Sequence, residues 1–132
     1  MLLLIELRTT ARAHLRDARI LEAKQSYNGV VYLCGYAVEI ALKYRVCRTL
    51  KWLGFPSTAS EFQNYRSLQT HNLETLLAFT GVVSKIKPAL TNEWYTLSEW
   101  NPEIRYNRVG TKTQAEAKKM IQATQTLLRI LL

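Results

Sequence analysis

The chain has 132 residues, 48% of them apolar and 21% charged, with 18 Lys and Arg against 10 Asp and Glu for a formal charge of +8. That composition excludes a disordered segment and the length excludes a second domain, so residues 1–132 are expected to form one unit with its own core. The basic surplus points towards nucleic acid, nucleotides or acidic proteins as partners.

The opening Met1-Leu2-Leu3-Leu4-Ile5 is too short to span a bilayer and lacks both a basic leader and a cleavage site, so it reads as a helix start or a packed end. The first helix is expected over residues 4–25. Leu7, Ala11, His14, Ala18 and Leu21 recur at three and four residues and form its core-facing stripe. His14 on that stripe reads as a hydrogen-bonded core histidine. On the adjacent face Arg8, Arg12, Arg16 and Arg19 form a basic ridge, which is either a solvated face or a phosphate-contacting one.

Ser26-Tyr27-Asn28-Gly29 breaks the chain, with Asn28 placed to cap the helix that follows over residues 28–52. Val30, Val31, Leu33, Cys34, Ala37, Val38, Ile40, Ala41, Leu42, Val46 and Cys47 cover most of its circumference, the mark of a central helix. Tyr32, Tyr36, Glu39 and Lys43 share its one polar stripe, and Glu39 and Lys43 stand four apart, so they can pair. A lone buried carboxylate or ammonium is expensive. The pair must therefore satisfy itself, face water, or meet a ligand or partner, and the reading adopted is that it faces the Arg105-Tyr106 loop. Cys34 and Cys47 lie in this one helix about 20 Å apart at ~1.5 Å per residue, too far to join, so both read as reduced core residues of an intracellular, cytoplasmic protein.

Leu53-Gly54-Phe55-Pro56 ends the helix, and Thr58 and Glu61 have capping-box spacing for a short helix in the polar connection. A third, short helix opens at His71-Asn72-Leu73, capped by Asn72, with Leu73, Leu76, Leu77 and Val83 as its apolar side. A fourth carries Leu90, Trp94 and Leu97 and stops at Asn101-Pro102. Thr113-Gln114-Ala115-Glu116 is a capping box that opens the last helix. Its stripe Ala117, Met120, Ile121, Thr124, Leu127, Leu128 and Leu131 is the strongest amphipathic pattern present. No alternating run of strand length occurs. The fold class is therefore all-α: an up-down antiparallel helical bundle of four long helices with a possible short one.

Tyr32 to Lys43, His71-Asn72-Leu73 with Leu76-Leu77, and Trp100-Asn101-Pro102-Glu103-Ile104-Arg105-Tyr106 resemble, in that order, the HEPN family (higher eukaryotes and prokaryotes nucleotide-binding). The resemblance implies an up-down bundle, frequent homodimers, and a minimal nucleotidyltransferase as partner, as in toxin-antitoxin pairs. Some members are ribonuclease toxins. Their signature is an arginine followed after four to six residues by a histidine near the junction into the last helix. Here that junction carries Arg105, but no histidine follows His71. Arg66 and His71 have the spacing but precede the third helix.

Three functions follow as expectations. A binding module uses Glu39, Lys43, Arg105 and Tyr106 to hold a nucleotide or RNA. A metal-independent ribonuclease uses His71 as base, with Arg66 or Arg105 as the stabilising cation. An interaction protein presents its helices to a nucleotidyltransferase. The first and third are preferred, with little or no ribonuclease activity. The five glycines are scattered, so no phosphate loop is formed, and no Cys, His and carboxylate cluster has metal-ligand spacing; no metal or cofactor is expected. A homodimer burying Trp100 or Tyr106 is expected from the apolar surplus.

Overall fold

A computed structural model describes all of residues 1–132. It is all-α, with helices α1 (Leu4–Ala23), α2 (Tyr27–Leu50), α3 (Leu73–Ala78), α4 (Val83–Ile86), α5 (Thr91–Ser98) and α6 (Gln114–Leu131). Two 3-10 turns, Arg66–Leu68 and Pro102–Tyr106, lie in the connections. No helix is long and apolar enough to cross a membrane.

The central position of α2 follows from its composition. Val30, Cys34, Ala37, Val38, Ala41, Leu42, Val46 and Cys47 on it are all fully buried. It contacts α1, α3, α6 and the Pro102–Tyr106 turn. On α1 the buried stripe is Leu7, Ala11, Leu15 and Ala18, with Leu15 in the core and the expected His14 and Leu21 only partly buried, and on α6 the predicted stripe is seen in Ala117, Met120, Ile121, Leu127, Leu128 and Leu131. The α6 start is the predicted capping box: the Thr113 hydroxyl accepts from the Glu116 N–H at 3.1 Å while the Glu116 carboxylate accepts from the Thr113 N–H at 3.2 Å. Burial pushes the Cys34 thiol up to about 12 and the Cys47 thiol up to about 11, so both are inert packing groups at neutral pH.

Gly35 has a specific reason to be glycine. The Trp100 indole lies directly on the α2 backbone there, in the space that a Cβ at Gly35 would occupy. The Trp100 ring is 5% exposed, so this single seam closes the Pro102–Tyr106 end of the molecule onto the central helix. It also means that Trp100 is buried within its own chain and is not free to fill a dimer interface.

Several local expectations are corrected. Leu2–Leu3 and Gly54–Phe55 form a two-residue antiparallel ladder, β1 and β2, pairing Leu2 with Phe55 and Leu3 with Gly54. A stretch this short carries no alternation for a pattern to reveal. The central helix starts at Tyr27 after Ser26, so Asn28 is not its cap. The Asn28 amide instead donates to the Arg108 carbonyl and the Thr111 hydroxyl, both at 3.1 Å, and its oxygen accepts from the Lys112 N–H. The helix ends at Leu50, and its cap Lys51 takes the left-handed conformation at φ 57 before Gly54 is reached. Thr58 and Glu61 make the capping bonds, but the chain completes only a turn: Glu61 is drawn to the amino terminus, accepting from it at 3.0 Å. Val83 does not belong to α3. Gly81, at φ 74, reverses the chain after Thr80 and starts the separate α4.

Candidate functional site

The polar stripe of α2 becomes a site because α3 begins beside it. Glu39 is 2% exposed, yet it is not alone: the Lys43 ammonium donates to one carboxylate oxygen at 3.0 Å and His71 Nδ1 donates to the other at 2.7 Å. Asn72 caps α3, accepting from the Thr75 N–H at 2.9 Å, and so fixes the chain immediately after His71. The Lys43 side chain is 16% exposed and its ammonium also stands 5.3 Å from the centre of the Phe55 ring. The His71 side chain, by contrast, is 58% exposed. A buried carboxylate thus holds an exposed imidazole by Nδ1, leaving Nε2 as the open nitrogen.

Aromatic rings continue this surface. Tyr36 stands edge-on to His71 at 6.2 Å, to Tyr32 at 5.1 Å, to Trp100 at 5.0 Å and to His14 at 6.4 Å between ring centres. Burial, with the Tyr32 phenol and the Glu39 carboxylate adding to it, pushes the Tyr36 hydroxyl above its ordinary value, so it stays protonated and able to donate. Burial lowers the His14 imidazole against the opposing pull of Asp17, which suits a ring packed into the α1–α2 seam. Arg105 makes no ion pair; its guanidinium lies 4.8 Å over the Tyr106 ring. The Tyr32 and Tyr106 phenols beside Arg105 raise its pKa.

The structure therefore brings Glu39, Lys43 and His71 into one bonded group, and places Arg105 on the same surface through Tyr32 and Tyr36. The expected pairing of Glu39 with Arg105 is not made, because the carboxylate is sealed under His71 and Lys43. Tyr106 is 71% exposed at the outer edge. Arg66 is exposed in its 3-10 turn and makes no hydrogen bond or ion pair with His71 or any other side chain. Tyr32 and Tyr36 were visible as members of the polar stripe; the packing of Tyr36 against His71 was not.

A cleft of about 400 Å³ lies elsewhere, between α5, the Pro102–Tyr106 turn and the start of α6. Trp100 forms part of its wall, but it contains none of Glu39, Lys43, His71, Arg105 and Tyr106. His71 stands exposed on its surface, with the Tyr36 ring and Arg105 nearby. No group of three or more His, Cys, Asp or Glu residues is placed to hold a metal ion.

A family model described as HEPN domain matches residues 5–132. No curated protein and no solved structure matches the chain.

Proposed function

The chain belongs to the HEPN domain family, a nucleotide- and RNA-related one, and from that membership we propose that it binds a nucleotide or a short RNA segment on the surface formed by Tyr36, His71, Arg105 and Tyr106. One observation carries this reading: the exposed His71 ring is held by the buried Glu39 carboxylate at 2.7 Å, beside aromatic rings and a cation with no carboxylate partner. Keeping a carboxylate buried under an exposed imidazole has a cost in desolvation, which a purely structural surface has no need to meet. Glu39 and Lys43 here support the site from beneath; they do not touch the ligand.

The test is binding of a mononucleotide and a short labelled RNA to wild type, His71→Ala and Arg105→Ala. Each substitution removes a hydrogen bond to a charged group, worth ~1.5–3 kcal/mol, and should weaken binding about tenfold or more. Arg105→Ala should also reduce the salt dependence of RNA binding by ~0.7 in slope. Unchanged affinity in both variants would sink the proposal.

The same geometry favours a second reading, metal-independent RNA cleavage. His71 Nε2 would take the 2′-hydroxyl proton, the 2′-oxygen would attack phosphorus, and the 5′-oxygen would leave with a proton from the Tyr36 hydroxyl, while Arg105 steadies the added charge. Binding ranks first because it needs only the surface as it stands. Cleavage that vanishes in His71→Ala with RNA binding retained would reverse the order; removing a general base costs ~10²–10⁴ in rate.

The reading includes a homodimer and a nucleotidyltransferase partner. Exposed Leu53 and Val109, at 79% and 92%, support an interface, and the partner rests on the family resemblance. A single 15.2 kDa species in sedimentation at micromolar concentration contradicts the dimer, and failure to co-purify with a nucleotidyltransferase co-expressed from an adjacent gene contradicts the partner.

A further inference from the structure

The arginine ridge of α1 is not used by the surface around His71. Arg8, Arg12 and Arg16, with Ile5, Thr9 and Ala13, line a shallow concavity of about 420 Å³ that contains no carboxylate. Arg8 and Arg12 make no ion pair, and Arg16 meets only Asp17, at 3.3 Å, in a pair with both side chains largely exposed. Arg8 is half-buried, and its Nε is enclosed without a hydrogen-bond partner. Three like charges one turn apart repel each other along a helix. Evenly spaced along one face, with Arg8 set into the surface, Arg12 and Arg16 exposed, and only Arg16 meeting a carboxylate, they suit an anion that repeats.

We propose that this ridge binds the phosphate backbone of single-stranded RNA, as a second contact track separate from the His71 surface. Guanidinium groups four residues apart on a helix are separated by about 6 Å along its axis, close to the distance between successive phosphates on one strand. The ridge is a single lane on a single helix, which matches one strand and not the two of a duplex. Ile5 and Ala13 give the arginine stems an apolar bed and leave the heads for the phosphates. His14 marks the side of α1 that faces Tyr36. Helical spacing of ~100° per residue puts the arginines on the far side of the core stripe from it. The ridge therefore extends the footprint without entering the site.

The experiment compares wild type with the triple variant Arg8→Gln, Arg12→Gln, Arg16→Gln, and with a charge-matched control, Lys24→Gln, Lys85→Gln, Lys118→Gln. The probes are a labelled oligouridylate, uridine monophosphate, and phosphatidylserine-containing vesicles, each across a salt series. The arginine variant should lose at least tenfold in oligouridylate affinity, and its salt slope should fall by about 2, three contacts at ~0.7 each. Binding of the monophosphate should be unchanged in that variant, and the lysine control should keep its oligouridylate affinity to within a few-fold. Equal losses in the two triple variants would reduce the ridge to net charge and overturn the proposal. So would unchanged oligouridylate binding in the arginine variant, or a loss confined to vesicles. Failure of the His71 surface reads out separately, in the monophosphate.

Discussion

Gly35→Ala should destabilise the protein by ~1–3 kcal/mol or prevent folding, the cost of forcing an extra group into a filled seam. The new methyl would fall within the Trp100 indole, and neither side can give way easily: one is the backbone of the central helix, the other a ring 5% exposed. Alanine is the better helix former by ~1 kcal/mol, so propensity alone predicts the opposite sign. Denaturant midpoints decide between the two. A Trp100→Ala background should relieve much of the clash, since the effects of touching residues do not add. An unchanged or raised midpoint in Gly35→Ala alone would show that Trp100 does not pack there.

Glu39→Ala should be still more costly, ~3–5 kcal/mol, because it leaves the Lys43 ammonium, 16% exposed, without its partner. Glu39→Gln keeps a hydrogen-bond acceptor and should lose ~1–3 kcal/mol. The pair Glu39→Leu with Lys43→Met removes both charges together and should recover most of the stability, since a buried ion pair seldom outperforms well-packed apolar groups. That double variant also separates structure from function. It should fold, and bind nucleotide poorly, because nothing then orients the His71 ring. Full binding in a stable Glu39→Leu, Lys43→Met protein would confine the carboxylate to a structural role.

What could be read from the residues alone follows the range of each interaction. The α2 and α6 stripes, the Thr113–Glu116 capping box and the Glu39–Lys43 pair are local patterns, and the structure contains all of them. The bond between His71 and Glu39 joins residues 32 apart, and no periodicity encodes it. The reason for Gly35 is likewise non-local: it is the Trp100 indole, from a distant part of the chain, lying against the α2 backbone. Asn28 looked like a cap because Asn-Gly is a local break; its actual partners, Arg108, Thr111 and Lys112, become neighbours only when the bundle closes. Val83 continued the apolar spacing of α3, and only the positive φ of Gly81 cuts it off. The individual site residues were legible as types, whereas their assembly depended on contacts made by folding.

The chain has two histidines, so their ring resonances can be told apart with one substitution. The most direct measurement is titration of the isotope-labelled protein with adenosine monophosphate, following both imidazoles by NMR. The account predicts that the His71 resonances move saturably with the nucleotide and that the movement is lost in Arg105→Ala. His71 resonances that stay fixed while nucleotide is bound would place the ligand elsewhere and contradict it.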